Sequence, residues 1–239
     1  MSDVPVITLD GPSGTGKGTI SSYLADWLQW HFLDSGALYR ILALVAEKSM
    51  ISRDDVAGLV SLANGLNVVF TCPGPGREVD VCLAGKNVGA ELRTESCGKG
   101  ASCIAALPEV RLALLQHQQA FRAPPGLIAD GRDMGTVVFP DAVLKIYLTA
   151  SAEERARRRH KQLKQKGIDA NLLQLSVEIA ERDARDSQRP VSPLKPAVDA
   201  VVIDTTSLKI EAVIELIAKL VCENIPGVSG WSGQSHNKA

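Results

Sequence analysis

A lysine set among closely spaced glycines stands near the start of the chain, in Gly11-Pro12-Ser13-Gly14-Thr15-Gly16-Lys17-Gly18-Thr19. Glycine lets a turn point successive backbone N–H groups inward. A helix N-terminus behind the turn adds positive partial charge, so such a segment can seat a polyphosphate. Lys17 would reach the outer two phosphates of a nucleoside triphosphate. The spacing matches G-x-x-x-x-G-K-[ST] except at its last position, where Gly18 replaces the hydroxyl that commonly meets Mg2+ and Thr19 follows one place later. The alternative is a tight strand-to-helix turn with no ligand.

Four other clusters could complete a site around such a phosphate. In Asp34-Ser35-Gly36-Ala37-Leu38-Tyr39-Arg40, Ser35 and Gly36 open a helix, and Arg40, one turn in, can aim a guanidinium at an anion. An N-cap followed by a surface arginine would read the same. In Asp130-Gly131-Arg132-Asp133-Met134-Gly135, Asp130 stands at a strand end where an acid can hold a Mg2+-bound water beside phosphates. Arg132 and Asp133 make this stretch too polar for a plain turn into Val137-Val138-Phe139. Arg182, Asp186 and Arg189 share one helical face, and Pro190 ends the helix so that Arg189 can point into a cleft. Exposed salt bridges worth ~0.3–0.5 kcal/mol each would explain the same spacing. Ser102 and Arg111, on either side of Pro108, form the weakest cluster. The four histidines show no ligand spacing, and no Ser-His-Asp order stands out. Phosphoryl transfer to a phosphate needs neither, because the acceptor is already an anionic nucleophile. It needs in-line positioning, Mg2+ and fixed positive charge.

Positioning these groups falls to alternating elements. Strand-like runs at residues 6–9, 30–33, 126–129, 143–148 and 200–203 are separated by helical patterns at 19–28, 37–46, 109–121, 152–166, 172–186 and 210–222. That alternation predicts an α/β fold with a parallel sheet covered on both faces, and ligands at the carboxyl ends of its strands. Residues 67–70, the turn Pro73-Gly74-Pro75-Gly76, residues 78–83 and the turn Ala84-Gly85-Lys86-Asn87 predict a small antiparallel unit inserted between about residues 66 and 93. The charged run at 153–166 holds Arg155, Arg157, Arg158, Arg159, His160, Lys161, Lys164 and Lys166, and a solvated helix face would account for it as well as a functional one.

At 239 residues the chain suits one domain with insertions. A net charge of −1 gives no global basic field for nucleic acid or an anionic membrane. Apolar content of 45% with 4% aromatic residues predicts an aliphatic interior. No signal pattern is seen at the N-terminus, and no apolar run approaches the ~20 residues that span a bilayer. Cys72, Cys82, Cys97, Cys103 and Cys222 are odd in number and lack C-x-x-C spacing, which predicts free buried thiols in a reducing cytoplasm. The Gly/Ser-rich tail, residues 226–239, is expected to be disordered.

Taken together, G-P-S-G-T-G-K-G-T, L-D-S-G-A-L-Y-R, I-A-D-G-R-D-M-G-T-V-V-F-P-D-A and E-R-D-A-R-D-S-Q-R resemble the bacterial cytidylate kinases, a branch of the nucleoside monophosphate kinases. The resemblance runs from residue 5 to about residue 217. The glycine-rich phrase marks only the broad kinase superfamily; the second and third phrases, in that order, are far more specific. The resemblance implies a P-loop kinase fold: five parallel strands flanked by helices, an antiparallel unit in a monophosphate-binding insertion at about 35–108, and a helical lid at about 153–190. Residues 1–225 would form that single domain.

It also implies roles. Gly11, Pro12, Ser13, Gly14, Thr15, Gly16, Lys17, Gly18 and Thr19 would hold the ATP phosphates, with Arg155 and Arg159 reaching them from the lid. Ser35, Tyr39 and Arg40 would belong to the monophosphate pocket, Arg132 to the acceptor phosphate, and Ser102, Arg111 and Asp133 to the base. Arg182, Asp186 and Arg189 would face sugar and phosphate. Lys17, Arg132 and Arg189 would carry the transfer, and Asp130 would hold Mg2+ through water. The expected partners are CMP, dCMP and ATP, taken by a monomer. Thr15 occupies a variable position, and the tail has no counterpart. A kinase of another small acceptor, such as shikimate, would need a different pocket without Asp133. A GTP-hydrolysing switch would need the guanine-reading N-K-x-D, which is absent.

Overall fold

The computed structural model describes residues 4–71, 79–165 and 167–228. Its first half runs β1 (Val6–Asp10), α1 (Lys17–Leu28), β2 (His31–Asp34), α2 (Ser35–Lys48), α3 (Val56–Asn64), β3 (Val68–Thr71), β4 (Asp80–Leu83), β5 (Lys86–Asn87), α4 (Gly89–Leu92), α5 (Glu95–Ile104) and α6 (Pro108–Ala120). The second half runs β6 (Leu127–Gly131), a π-helical turn (Met134–Val138), β7 (Leu144–Thr149), α7 (Ala152–Gln165), α8 (Leu172–Ser187), β8 (Val201–Asp204) and α9 (Ile210–Asn224).

All five residues of β1 are buried, as suits the middle strand of a sheet covered on both faces. The main sheet has the order β2-β6-β1-β7-β8, and every pairing in it is parallel. Side chains alternate across it. Ile7 and Leu9 pack with Ile20 and Leu24 of α1 and with Val213 and Ile217 of α9. Val6, from the opposite face, packs with Leu33, Leu38, Met134 and Phe139. Each such aliphatic side chain contributes ~1.5–3 kcal/mol on burial, so the sheet is a rigid platform for whatever stands at its carboxyl edge. The α/β class and the five parallel strands match the expectation.

The insertion is the second, smaller sheet, β3-β4-β5, antiparallel with Val69 opposite Cys82 and Cys82 opposite Asn87. Ala84 and Gly85 turn it, at φ 47° and 82°, and Lys86 and Asn87 form a strand rather than part of the turn. The expected Pro73–Gly76 turn, Glu78 and Cys72 lie outside the described residues. Phe70 ties this sheet to the platform through an edge contact with the Phe32 ring and a tilted contact with that of Phe121.

Some boundaries move. β2 excludes Trp30 and takes in Asp34; β6 begins at Leu127 and runs on through Asp130 and Gly131. The helix expected from residue 37 starts at Ser35, because the Asp34 side chain caps it by accepting from the Ala37 N–H at 2.9 Å. Helices α3 to α5 were not anticipated. α5 carries Gly98 and Gly100, which weaken its intrinsic signal, and Thr94 supplies the cap that starts it. Cys82, Cys97, Cys103 and Cys222 are free. Of these four only Cys97 is buried, while Cys103 is exposed on α5, so the expected burial of all the thiols does not hold. Lys166 and residues 229–239 lie outside the described part, and so does most of the tail expected to be disordered. Among the described residues no helix is long and apolar enough to cross a membrane.

Candidate active site

The glycine-rich loop leaves the carboxyl end of β1 and enters α1, as its spacing implies. Gly11 has φ 139°, and a Cβ there would stand 2.0 Å from the Leu148 carbonyl oxygen, so no other residue fits. Gly16, at φ 93°, caps α1 with no side chain, which leaves the first N–H groups of the helix facing the loop. Lys17 is buried and folds back to donate to the Pro12 carbonyl at 2.7 Å, and Thr15 Oγ1 donates to the same oxygen at 3.2 Å. Burial, and then the neighbouring Arg132, pull the Lys17 ammonium down to about 7, although Asp130 and Asp10 draw it the other way.

Arg155 lies against this loop from α7. Its guanidinium donates to the Ser13 carbonyl at 3.2 Å and pairs with both oxygens of Asp183 at 3.1 and 2.5 Å. Arg159, one turn further along α7, does not reach the loop; it pairs with Glu95 of α5. A full helical turn carries it ~5–6 Å beyond Arg155, which is why the structure separates the two. Arg158 instead clasps Thr205, donating to its hydroxyl at 3.1 Å and its carbonyl at 2.5 Å. The Thr205 hydroxyl in turn lies 3.3 Å from the Thr15 carbonyl.

Across from the loop, β6 delivers Asp130 beside Lys17 and Gly18. Its Oδ2 would stand 3.7 Å from a Cβ on Gly18, and its carboxylate accepts no hydrogen bond among the described residues. Burial raises its pKa against the pull of Lys17. Arg132 donates to Asp186 at 2.9 Å, and Arg189 reaches the other oxygen of Asp186 at 2.7 Å. Burial pushes the Asp186 carboxyl up, but Arg132, Arg189 and Arg182 together outweigh it and hold the group below the usual carboxylate range. Arg182 has a buried Nε with no partner. Burial, then Arg132, lower its guanidinium to about 10. Asp186 and Glu95 offset that lowering only in part.

Arg111 and Asp133 form a buried ion pair. Arg111 also donates to the Ala105 carbonyl at 3.1 Å and sits 5.7 Å from the centre of the Tyr39 ring. Tyr39 is buried with its hydroxyl unpartnered, and burial pushes the phenol up to about 12. Arg40 donates to the Leu92 carbonyl at 2.6 Å. Ser35 lies against the Gly131 backbone, its Oγ 2.6 Å from where a Cβ would stand. Ser102 accepts from Arg185 Nε at 3.3 Å, on the side of α8 that faces α5. The loop with Lys17, Asp130, Arg132, Asp186 and Arg189 thus stands at one carboxyl edge, and Arg111, Asp133 and Tyr39 form a cluster of their own. Ser102 and Arg40 are held by Arg185 and the Leu92 carbonyl, and Arg159 pairs away from the donor loop.

Asp10 and Thr205 were not singled out from the sequence, and Arg158, Asp183 and Arg185 stood there only as members of charged stretches without these partners. Asp10 had a signal, a charge closing an otherwise uncharged strand. Asp10 accepts from the Met134 and Gly135 amides at 2.9 and 2.8 Å. Burial pushes its carboxyl up to about 6 against those two bonds. Among the described residues no group of three or more acidic, His or Cys side chains could cage a metal. Two cavities of about 300 and 340 Å3 lie along the β2 side, by Phe121, away from these charges.

The family model described as "Cytidylate kinase" matches residues 7–223. The chain is 57% identical over 220 residues to the cytidylate kinase of Stutzerimonas stutzeri, covering 92% of this chain and 96% of that one. It is 56% identical over 215 residues to the cytidylate kinase of Nitrosococcus oceani, covering 90% and 95%. With the cytidylate kinase of Pseudomonas aeruginosa PAO1 it shares 55% over 228 residues, covering 95% and 97%. A shikimate kinase structure from Bacteroides thetaiotaomicron overlays with a TM-score of 0.43 at 13% identity, covering 91% of this chain and 98% of that one, a likeness too slight to bear on activity.

Proposed function

The chain belongs to the cytidylate kinase family, and from that premise we propose that its cleft moves the γ-phosphoryl group of ATP onto CMP, giving CDP and ADP. The loop 11–19 would hold the ATP phosphates. Lys17, which donates to the Pro12 carbonyl at 2.7 Å, would turn to meet them. Arg132, Arg182 and Arg189 would surround the acceptor phosphate and the equatorial oxygens, where charge spreads in the transition state. Arg155 would steady the loop from α7. Residues 1–225 would act as one domain, with α7 and α8 as its lid. The acting species would be a monomer in the cytoplasm.

Mg2+ fits the residues present. Asp130 is a buried carboxylate without a donor, facing the loop, and Mg2+ is commonly bound by one carboxylate, waters and substrate phosphates rather than by a protein cage. When bound, it would neutralise charge on the β- and γ-phosphates. Asp130 would orient one of its waters, and Gly18 leaves that side open.

The observation that carries the choice of base is the Arg111–Asp133 pair. A carboxylate only accepts and a guanidinium only donates. Side by side they match the N4 amine and the N3 or O2 acceptors of cytosine, and they mismatch the O4 and N3–H of uracil. Arg182 and Asp186 can bond ribose hydroxyls, and nothing there requires a 2′-OH, so dCMP should also serve. The test is a panel of CMP, dCMP, UMP, AMP, GMP and shikimate with ATP and Mg2+. CDP and dCDP should form fastest; preferential turnover of any other acceptor would refute the reading.

A further inference from the structure

We infer that Asp10 is a positioning residue that locks the acceptor-reading loop to the donor loop, an inference that rests on the function proposed above. On β1 the even positions Val6, Thr8 and Asp10 face the side of the sheet on which Met134, Val138 and Phe139 pack. Asp10 is 5% exposed, and its two oxygens each take one amide, those of Met134 and Gly135. These amides lie at the start of the π-helical turn, where no earlier carbonyl of the turn can serve them. A charge taken out of water is costly unless such bonds compensate it. An aliphatic residue would serve the sheet equally well, as Val6, Ile7 and Leu9 do, so the carboxylate answers to the turn and not to the strand.

The consequence is geometric. One residue after Asp10 the donor loop begins at Gly11, fixed against the Leu148 carbonyl. One residue before Met134 is Asp133, and before that Arg132. A single carboxylate thus spans 124 positions of sequence to set the group reading the base and the group holding the acceptor phosphate at a fixed offset from the ATP phosphates. Gly135 reinforces the seat, because a Cβ there would stand 2.8 Å from Thr8 Oγ1. In-line transfer tolerates little misplacement, so loosening this bracket should show first in handling of the acceptor.

The test is Asp10→Asn in the full chain. The amide keeps the shape and one accepting oxygen but turns an NH2 group toward the second N–H. KM for CMP should rise about tenfold and the CMP-over-UMP preference should shrink by a similar factor, while KM for ATP stays within about twofold. A general weakening of the fold would not split the substrates in this way. If the variant does not fold, the wild type still decides: with no nucleotide present, the Met134 and Gly135 amides should be strongly protected from hydrogen exchange. Unprotected amides would overturn the inference, as would a folded variant with unchanged KM for CMP and unchanged base preference, or one whose KM for ATP rises as much as that for CMP. A wild type that does not phosphorylate CMP would overturn the proposed function and this inference together.

Discussion

At the scale of single residues, the site is a set of charges held away from their ordinary states. Lys17 is the loop's one cation, so Lys17→Ala should lower kcat by about a hundredfold or more while the melting curve stays near that of the wild type. Near-normal turnover by a folded variant would remove Lys17 from the chemistry. The same residue predicts a proton. With its pKa near 7 in the free protein, Lys17 is largely neutral at alkaline pH, and a bound polyphosphate would return it toward its ordinary value. ATP binding should therefore take up more protons at about pH 8 than at about pH 6, where the ammonium is already charged. Calorimetry in buffers of different ionisation enthalpy reads this directly, and proton release at alkaline pH would contradict it. For the base, leaving buried charged groups unpaired costs ~2–3 kcal/mol, so CMP should exceed UMP in kcat/KM by about a hundredfold. Asp133→Ala should erase most of that preference; equal rates for the two bases in the wild type would show that the Arg111–Asp133 pair does not read the base.

At the scale of elements, α8 does two jobs with two faces. Asp186 and Arg189 pair with each other and Asp186 holds Arg132, while Asp183 pairs with Arg155 of α7, which itself bonds the Ser13 carbonyl. Asp183 thus ties α8, through Arg155, to the glycine-rich loop, and on the proposed function it links the acceptor side to the donor side. Asp183→Ala should leave Arg155 partly buried and unpaired, raising KM for ATP several-fold, more than KM for CMP. A larger effect on CMP would reverse this assignment. The spacing of α8 allowed two readings, exposed salt bridges or a cleft face; Asp186 and Arg189 pair with each other but are buried, and Asp186 also holds Arg132, so the pairs are not exposed ones.

At the scale of the whole molecule, a net charge of −1 conceals a strongly uneven distribution. Beyond burial, Arg132 lowers the proton affinity of Lys17 and of Arg182, and Arg182 that of Lys17, while Asp186, Asp130 and Asp10 hold Arg132 itself up against its burial. The repulsion that remains is sustained by the packing of the sheet and helices beneath it. An anion in the cleft should relieve it. Pyrophosphate should raise the melting temperature by several degrees at concentrations well above its Kd, whereas sodium chloride at matched ionic strength should not. Equal responses to the two would argue that the cleft charges are screened rather than filled.

The sequence by itself determined the glycine-rich loop, the alternation of strand and helix, the inserted antiparallel unit and the polar clusters at strand ends, because each is written in neighbouring residues through turn chemistry and hydrophobic period. It also carried the roles of Arg132, Asp186 and Arg189 as candidates, though not their joining. What tertiary structure alone decided were the pairings across distant segments: Asp10 with Met134 and Gly135, Arg132 with Asp186, Arg111 with Asp133, Arg155 with Asp183, and Arg159 with Glu95 rather than the donor loop. Those depend on the strand order β2-β6-β1-β7-β8, which sets β6 beside β1. No local pattern encodes which strands become neighbours, because that choice is made by burying all the apolar faces at once.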